Sequence, residues 1–191
     1  MTKEQLRILY KEKRKELSMQ AIEKFNDLIL INFQKIKLPP INCVHTYLAS
    51  LRLREVDTAM LIRYLEFKNP ELKVAVPKID MRTDTMQHFH LSEEVELINN
   101  GYGIQEPNGA NEILTNEIDL ALIPLLAFYE NGYRAGYGKG YYDKFLSSSR
   151  IDVIKIGLSF FDAVDKIEDV DAYDIPLNFC VTPHRLYDFE R

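Results

Sequence analysis

Cysteine and glycine are scarce in this 191-residue chain, and positive charge is outnumbered. The two cysteines, Cys43 and Cys180, lie in apolar, strand-like stretches and read as buried, reduced thiols, not as a disulfide or a catalytic pair. Lysine and arginine number 24 against 29 aspartates and glutamates, for a net charge of −5. Such a balance argues against a broad nucleic-acid-binding surface, which needs a positive excess to neutralise phosphates, but it leaves room for a local basic site. No apolar run approaches the length of about 20 residues that spans a bilayer, and Met1 to Gln5 lacks the apolar core of a signal peptide. A soluble, cytoplasmic protein is expected. Internal repeats, low-complexity tracts and linker-like stretches are absent too, and 46% hydrophobic and 11% aromatic residues suffice for a substantial core, so residues 1–191 are expected to form one domain.

Of only eight glycines, four fall between 132 and 140, in Gly132-Tyr133-Arg134-Ala135-Gly136-Tyr137-Gly138-Lys139-Gly140-Tyr141-Tyr142-Asp143. An apolar run, Asp119 to Phe128, precedes this stretch and a helix-like segment from Tyr141 to Leu146 follows it, so the order reads strand, loop, helix. Glycines let a ligand approach backbone N–H groups, and the first amides of the following helix lack internal partners and favour negative charge. With Arg134 and Lys139 as fixed cations, the loop suits a polyphosphate. It is not a P-loop, because Tyr133 stands five residues before Gly138 and Lys139 is followed by Gly140 in place of Ser or Thr. Nor is it a dinucleotide fingerprint, since the spacing is Gly136-x-Gly138-x-Gly140. A plain glycine-rich connection, with Asp143 complementing the helix dipole, would not account for the two cations.

Arg134-x-Gly136-x-Gly138-x-Gly140-Tyr141-Tyr142-Asp143 resembles the signature of the 5-formyltetrahydrofolate cyclo-ligase family, also called methenyltetrahydrofolate synthetases. In that family the loop binds ATP and part of the folate. The resemblance therefore implies Arg134, Gly136, Gly138, Lys139, Gly140, Tyr141 and Tyr142 at the nucleotide, and Tyr137, Lys139 and Tyr141 at the folate. Arg134 and Lys139 become the catalytic cations, and Asp143 a Mg²⁺ ligand. The family also has a Lys-x-x-x-Arg pair near its N-terminus that reaches the ATP phosphates; here it is Lys3 and Arg7, one helical turn apart and otherwise readable as a solvated basic face. Its Glu-x-x-Thr element matches Glu55 to Thr58 and places Glu55 against the pterin, where a carboxylate accepts two parallel N–H bonds. The segment from Asn100 to Gly109 resembles a Tyr-Gly-Ile-x-x-Pro element assigned to a wall of the folate cleft. Near the C-terminus, Asp174 and Pro176 match a metal-assisting motif, but Tyr173 replaces its usual histidine and Asn178 its later acid. Tyr129 stands where the family often has Asp.

The remaining chain fits an α/β domain. Residues 3–17 predict an amphipathic helix with Leu6, Leu9, Tyr10, Lys13 and Leu17 on one face. Ser18 predicts the cap of a second helix, from Met19 to about Lys37, burying Ile22, Phe25, Leu28, Ile29 and Phe33. Strands are expected at 43–49, 73–79, 86–91, 153–160 and 179–183, and Thr58 is the expected cap of a helix over 59–65. His88 and His90 share one strand face and read as solvent-side histidines, since no third metal ligand is near in sequence. The alternation predicts one three-layer, Rossmann-like α/β domain with a largely parallel sheet and the N-terminal helices packed on it. Ligands would sit at the strands' C-terminal ends.

The resemblance implies an ATP- and Mg²⁺-dependent enzyme that converts 5-formyltetrahydrofolate, with or without a polyglutamate tail, to 5,10-methenyltetrahydrofolate. A monomer with a small-molecule substrate, and with neither nucleic-acid nor membrane partners, is expected. Two other classes stay open on the residues alone. A non-catalytic nucleotide or sugar-phosphate binding module would use the loop without needing Glu55, and a phosphosugar isomerase-like enzyme would need a catalytic carboxylate or lysine but no ATP.

Overall fold

The computed structural model describes residues 1–80, 82–99 and 105–189. Helix α1 (Lys3–Glu16) starts at Thr2, whose hydroxyl accepts from the Gln5 amide while the Gln5 side chain accepts from the Thr2 amide. Its buried stripe is Leu6, Tyr10 and Arg14. The expected Leu9 and Lys13 are not core residues: Leu9 is exposed, and the Lys13 ammonium lies 4.6 Å from the Tyr10 ring centroid. Helix α2 (Met19–Phe33) is capped by Ser18, as expected, but ends four residues early. Its last carbonyls, Asn32 and Phe33, accept tighter three-residue bonds from Lys35 and Ile36 ahead of Pro39-Pro40.

Strand β1 (Cys43–His45) is shorter than the apolar run implied, because the chain turns away after His45 although residues 46 and 47 remain buried. Helix α3 (Ala59–Lys68) is capped by Asp57, which accepts from the Ala59 amide at 2.9 Å. The expected cap, Thr58, is turned inward: its hydroxyl accepts from Thr46 and donates to the Tyr47 carbonyl. There follow β2 (Lys73–Asp80), β3 (Thr85–His90), β4 (Glu96–Asn99), β5 (Gln105–Asn108), β6 (Glu112–Ile113) and β7 (Leu120–Pro124). Next come β8 (Ala127–Phe128), β9 (Arg134–Ala135), α4 (Tyr141–Ser148), β10 (Ile154–Leu158), β11 (Phe179–Val181) and β12 (Leu186–Asp188).

Among the described residues, eight strands form one sheet in the order β12-β11-β10-β7-β1-β2-β3-β6. The five strands from β11 to β2 are mutually parallel, while β12, β3 and β6 join through antiparallel pairings. Burial on both faces explains the unbroken apolar reading of β1 and β7. On one face Val44, Val74, Leu120, Leu122, Ile156 and Leu158 pack under α2 and α3 through Ile22, Ile29, Phe33, Leu61 and Leu65. On the other, Cys43, Ala75, Ala121, Ile123 and Cys180 meet Phe145 and Leu146 of α4. The two-residue period of β7 thus feeds two cores, which makes three layers. Helix α1 packs instead on the β8–β9 ribbon, with Leu6 and Tyr10 against Leu126, Ala127 and Ala135.

Two further expectations need correction. The turn read over 100–109 contains strand β5, paired with β4, and its first five residues lie outside the described part of the chain. His88 is not at the solvent: it is 2% exposed and stands against the fully buried His45, Nδ1 to Nδ1 at 3.2 Å. The cysteines are free and buried as read; burial, followed by Asp119 and Glu117, pushes the Cys43 thiol up to about 12.

Gly132 closes the β8–β9 turn at φ +82°, where a Cβ would meet the Leu177 carbonyl oxygen at 2.8 Å. Gly132→Ala should therefore lower folding stability by about 2–3 kcal/mol. Gly109→Ala, at φ +70° with nothing within 4 Å, should cost only about 1 kcal/mol. Urea unfolding midpoints compare the two; equal losses would show that the Leu177 contact does not matter.

The histidine pair sets a pH dependence. Burial lowers the pKa of His88 from 6.5 to about 4 and that of His45 well below its ordinary value, with the neighbouring imidazole as a further cause for His45. The unfolded chain then binds more protons than the folded one between about pH 4 and 6.5, so this stability is complete above pH 6.5 and is lost as pH falls. Each histidine contributes a slope of up to about 1.4 kcal/mol per pH unit. Unfolding free energies at pH 7.5, 6 and 5 should show the decline, and His88→Phe should flatten it.

Candidate functional site

The glycine loop does not leave the central sheet directly. After β7 the chain forms the β8–β9 ribbon, and only then runs through residues 136–140 into α4. Gly132 therefore belongs to the ribbon's turn, and Gly136, Gly138 and Gly140 make the loop. Gly138 sits at φ +93°, and a Cβ there would come within 3.2 Å of the Arg7 guanidinium. Arg7 reaches the loop from α1 and donates from Nε to the Gly136 carbonyl at 2.9 Å. Nothing lies within 4 Å of where a Cβ would stand on Gly136 or Gly140. Helix α4 begins at Gly140 without a side-chain cap, and the first amides of a helix have no partner within it.

Arg134 points from β9 into the space between this loop and the segment 174–176. It is buried, donates to the Ile175 carbonyl, and pairs with Asp143 through Nη2 to Oδ1 at 2.8 Å. Burial lowers the pKa of its guanidinium, while the charge and hydrogen bond of Asp143 act to raise it. Asp143 also accepts from the Ile175 amide at 3.2 Å, using the same oxygen. Its other oxygen has no partner among the described residues. Asp174 accepts from the Lys3 ammonium at both oxygens, at 2.6 and 2.5 Å, and from the Asp171 amide at 2.7 Å, and the Asp171 carboxylate lies 3.6 Å from the same ammonium. The structure thus brings Lys3, Arg7, Arg134, Asp143 and Asp174 to one side of the loop, from positions far apart in the chain. Lys139 stands exposed at the loop's tip, close enough to Asp84 for its charge to help lower that carboxyl's pKa.

Glu55 lies on the other side. Its two oxygens accept from the Tyr137 hydroxyl at 2.6 Å and the Ser50 amide at 2.8 Å. A carboxylate offers about four lone-pair positions, so two remain for a ligand. Burial first, and Glu55 after it, raise the pKa of the Tyr137 hydroxyl well above its ordinary value, against the opposing charge of Arg14. Tyr137 is a loop residue, and its bond ties the glycine loop to Glu55.

Arg14 is the residue that the sequence reading missed. It is 3% exposed, donates to the Tyr137 hydroxyl at 2.9 Å and to the Leu125 carbonyl, and so holds the hydroxyl that holds Glu55. A signal existed, since Arg14 falls eight residues after Leu6 on the stripe Leu6-Tyr10-Arg14. The neighbouring Arg54, at φ +47°, donates to the carbonyls of Arg14, Lys15 and Leu17, closing the C-terminus of α1. His45 was missed as well. Its Nε2 lies 3.3 Å from the hydroxyl of Tyr142, the second residue of α4.

The unusual positions have local partners. Tyr129 bridges to Val164 and stacks on Tyr133, and Asn178 accepts from the Lys155 amide. The Tyr173 side chain is largely exposed.

The chain's residues 2–183 match the model of the 5-formyltetrahydrofolate cyclo-ligase family. The chain belongs to that family. Membership makes it an enzyme of the ligase class. It is 28% identical over 196 residues to the 5-formyltetrahydrofolate cyclo-ligase of Escherichia coli K12, covering 99% of this chain and 100% of that protein. A Schizosaccharomyces pombe protein named as a probable 5-formyltetrahydrofolate cyclo-ligase is 32% identical over 150 residues, covering 70% of this chain and 71% of its own length. The solution structure of Aquifex aeolicus 5,10-methenyltetrahydrofolate synthetase superposes with a TM-score of 0.81 at 25% identity, over 100% of this chain and 94% of the other. The family fold is therefore the fold described above. Among the described residues no helix is long and apolar enough to cross a membrane.

Proposed function

We propose that this enzyme converts 5-formyltetrahydrofolate to 5,10-methenyltetrahydrofolate, consuming ATP and releasing ADP and phosphate. The observation that carries the reading is the junction at Tyr137. One loop has open glycines beside the half-buried Arg7 and the buried Arg134, and through Tyr137 it grips the carboxylate proposed to hold a pterin. A binding module for phosphates alone gives no reason for a fixed Glu55, and an isomerase gives no reason for so many cations.

A formamide on N5 is a poor electrophile. Its oxygen attacks the γ-phosphorus, the bond to the β-phosphate oxygen breaks, and ADP leaves. N10 then attacks the activated formyl carbon, its proton is lost, and the C–O bond breaks to expel phosphate. Such chemistry depends mostly on positioning and on neutralising charge. Arg134 and Lys139 are proposed to meet the transferred phosphoryl group, with Arg7 and Lys3 on the remaining phosphates. An ammonium carries three donors, so Lys3 can keep Asp174 and still donate to a phosphate oxygen. The amides at Gly136 to Gly140 and the start of α4, with Tyr141 and Tyr142, line the nucleotide; Glu55, Tyr137, Lys139 and Tyr141 face the folate.

Asp143 and Asp174 fit Mg²⁺ by their chemistry: two carboxylates, one with an unengaged oxygen, flanking the buried Arg134. Mg²⁺ usually takes only one or two protein carboxylates and completes its octahedron with phosphate oxygens and water. When bound, it would neutralise phosphate charge.

Product should form only with Mg²⁺-ATP, with ADP in equal amounts, read from the absorbance of methenyltetrahydrofolate. The same rate without nucleotide would overturn the activation step. Glu55→Gln replaces one acceptor with a donor and should weaken folate binding by about 2 kcal/mol while sparing ATP; calorimetry giving equal losses for both ligands would assign Glu55 a structural role. Asp143→Asn should raise the Mg²⁺ concentration needed for half-maximal turnover. Because Asp143 also supports a buried guanidinium, the same change should cost about 1–3 kcal/mol of stability. Asp174→Asn should act in the same direction on Mg²⁺, less strongly. An unchanged metal requirement in both variants would remove the pair from the metal site.

A further inference from the structure

Three groups form a hydrogen-bonded line into the site from the protein interior: His88 on β3, His45 on β1 and Tyr142 on α4. His45 is fully buried and His88 nearly so, and the Phe145 ring lies 4.9 and 4.3 Å from their ring centroids. Burial lowers both imidazole pKa values, so each ring is neutral at pH 7 and carries one N–H. The Nδ1–Nδ1 contact at 3.2 Å then requires one Nδ1–H and one bare Nδ1. Only two arrangements satisfy it.

In the first, His45 Nδ1–H donates to His88, and the bare His45 Nε2 accepts the Tyr142 hydrogen. His88 must then carry its hydrogen on Nε2, which is buried and has no hydrogen-bond partner among the described residues. In the second, His88 Nδ1–H donates to His45, and His45 Nε2–H donates to the Tyr142 oxygen. The atom left over is now a bare ring nitrogen. Orphaned buried N–H donors are the rarer and costlier defect, which favours the second arrangement.

We infer that His88 and His45 fix the direction of the Tyr142 hydroxyl: its oxygen accepts from His45, so its hydrogen is left to donate into the site, to an oxygen of the phosphoryl group being transferred. The hydroxyl lies near enough to Glu55 and Arg134, the residues proposed for pterin and phosphate, to feel both charges, and a phenol carries its hydrogen at pH 7. His45 and His88 are positioning residues acting through Tyr142. The inference rests on the proposed reaction for the identity of the acceptor, but the direction of the hydrogen bonds does not depend on it.

The direct test is the imidazole nitrogen spectrum of the full chain labelled with ¹⁵N-histidine at pH 7.5, assigned with His45→Gln and His88→Phe. Hydrogen on Nδ1 of His88 and Nε2 of His45 is expected; the reverse pair of tautomers overturns the inference. Kinetics supply the second arm. His88→Phe should lower kcat about tenfold with little change in KM for ATP or folate, and adding it to Tyr142→Phe should cause no further loss. Additive losses, or a His88→Phe enzyme with unchanged kcat, would make the pair merely structural. If the wild-type protein forms no methenyl product at all, the proposed reaction fails, while the spectrum still decides the hydrogen-bond direction.

Discussion

A guanidinium taken out of water must have its charge answered where it lies, and Arg134 is buried. Asp143 answers it from the first turn of α4, and the Ile175 carbonyl from the C-terminal segment. Three separate stretches of chain are thereby fixed to one side chain. The Ile175 amide closes the arrangement by donating to the same Asp143 oxygen that Arg134 uses. Without this pair, the ribbon that carries Arg134, the helix that begins the candidate anion site and the loop that delivers Asp174 would have little polar reason to meet. The apolar layers below give the helix its place on the sheet, but they are indifferent to a small rotation that would separate these charges.

The second half of the site is organised in the same way around a hydroxyl. Tyr137 accepts from Arg14 and donates to Glu55, so a cation on α1 is linked to a carboxylate after β1 through a loop residue. A tyrosine can hold both because its oxygen accepts and donates at once, and burial keeps it protonated. The glycine loop is thus anchored through Arg7 at Gly136 and through Tyr137, while the positions that open toward an anion stay free of side chains.

Much of this was legible in the sequence because local rules and tertiary demands agreed. The parallel strands announced themselves as apolar runs buried on both faces, and Ser18 capped the helix its chemistry suggested. Lys3 and Arg7 do share a helical face, and it is the face turned to the loop. What failed did so for identifiable reasons. Thr58 lost the capping role to Asp57 because a buried hydroxyl had better partners in Thr46 and Tyr47. His88 looked solvent-facing because its partner, His45, is 43 residues away and no local pattern reveals a cross-strand imidazole contact. Arg14 was passed over among neighbouring charges on a helix rich in lysine and arginine, although its place on the stripe of Leu6 and Tyr10 set it apart from them. The β8–β9 ribbon went unread, with β8 inside an apolar run and β9 inside the glycine-rich stretch, because strands of two residues leave no period to read.

Arg54 and Glu55 are consecutive, yet they face opposite tasks. The first is clamped to three carbonyls at the end of α1, and the second holds Tyr137 beside the loop. No spare residue separates them to absorb a shift. Helix α1, whose other end carries Lys3 and Arg7, is therefore geared to the carboxylate proposed for the pterin. The two proposed ligand positions are joined along one helix, and whatever factor binding at one contributes to affinity at the other would be returned in full.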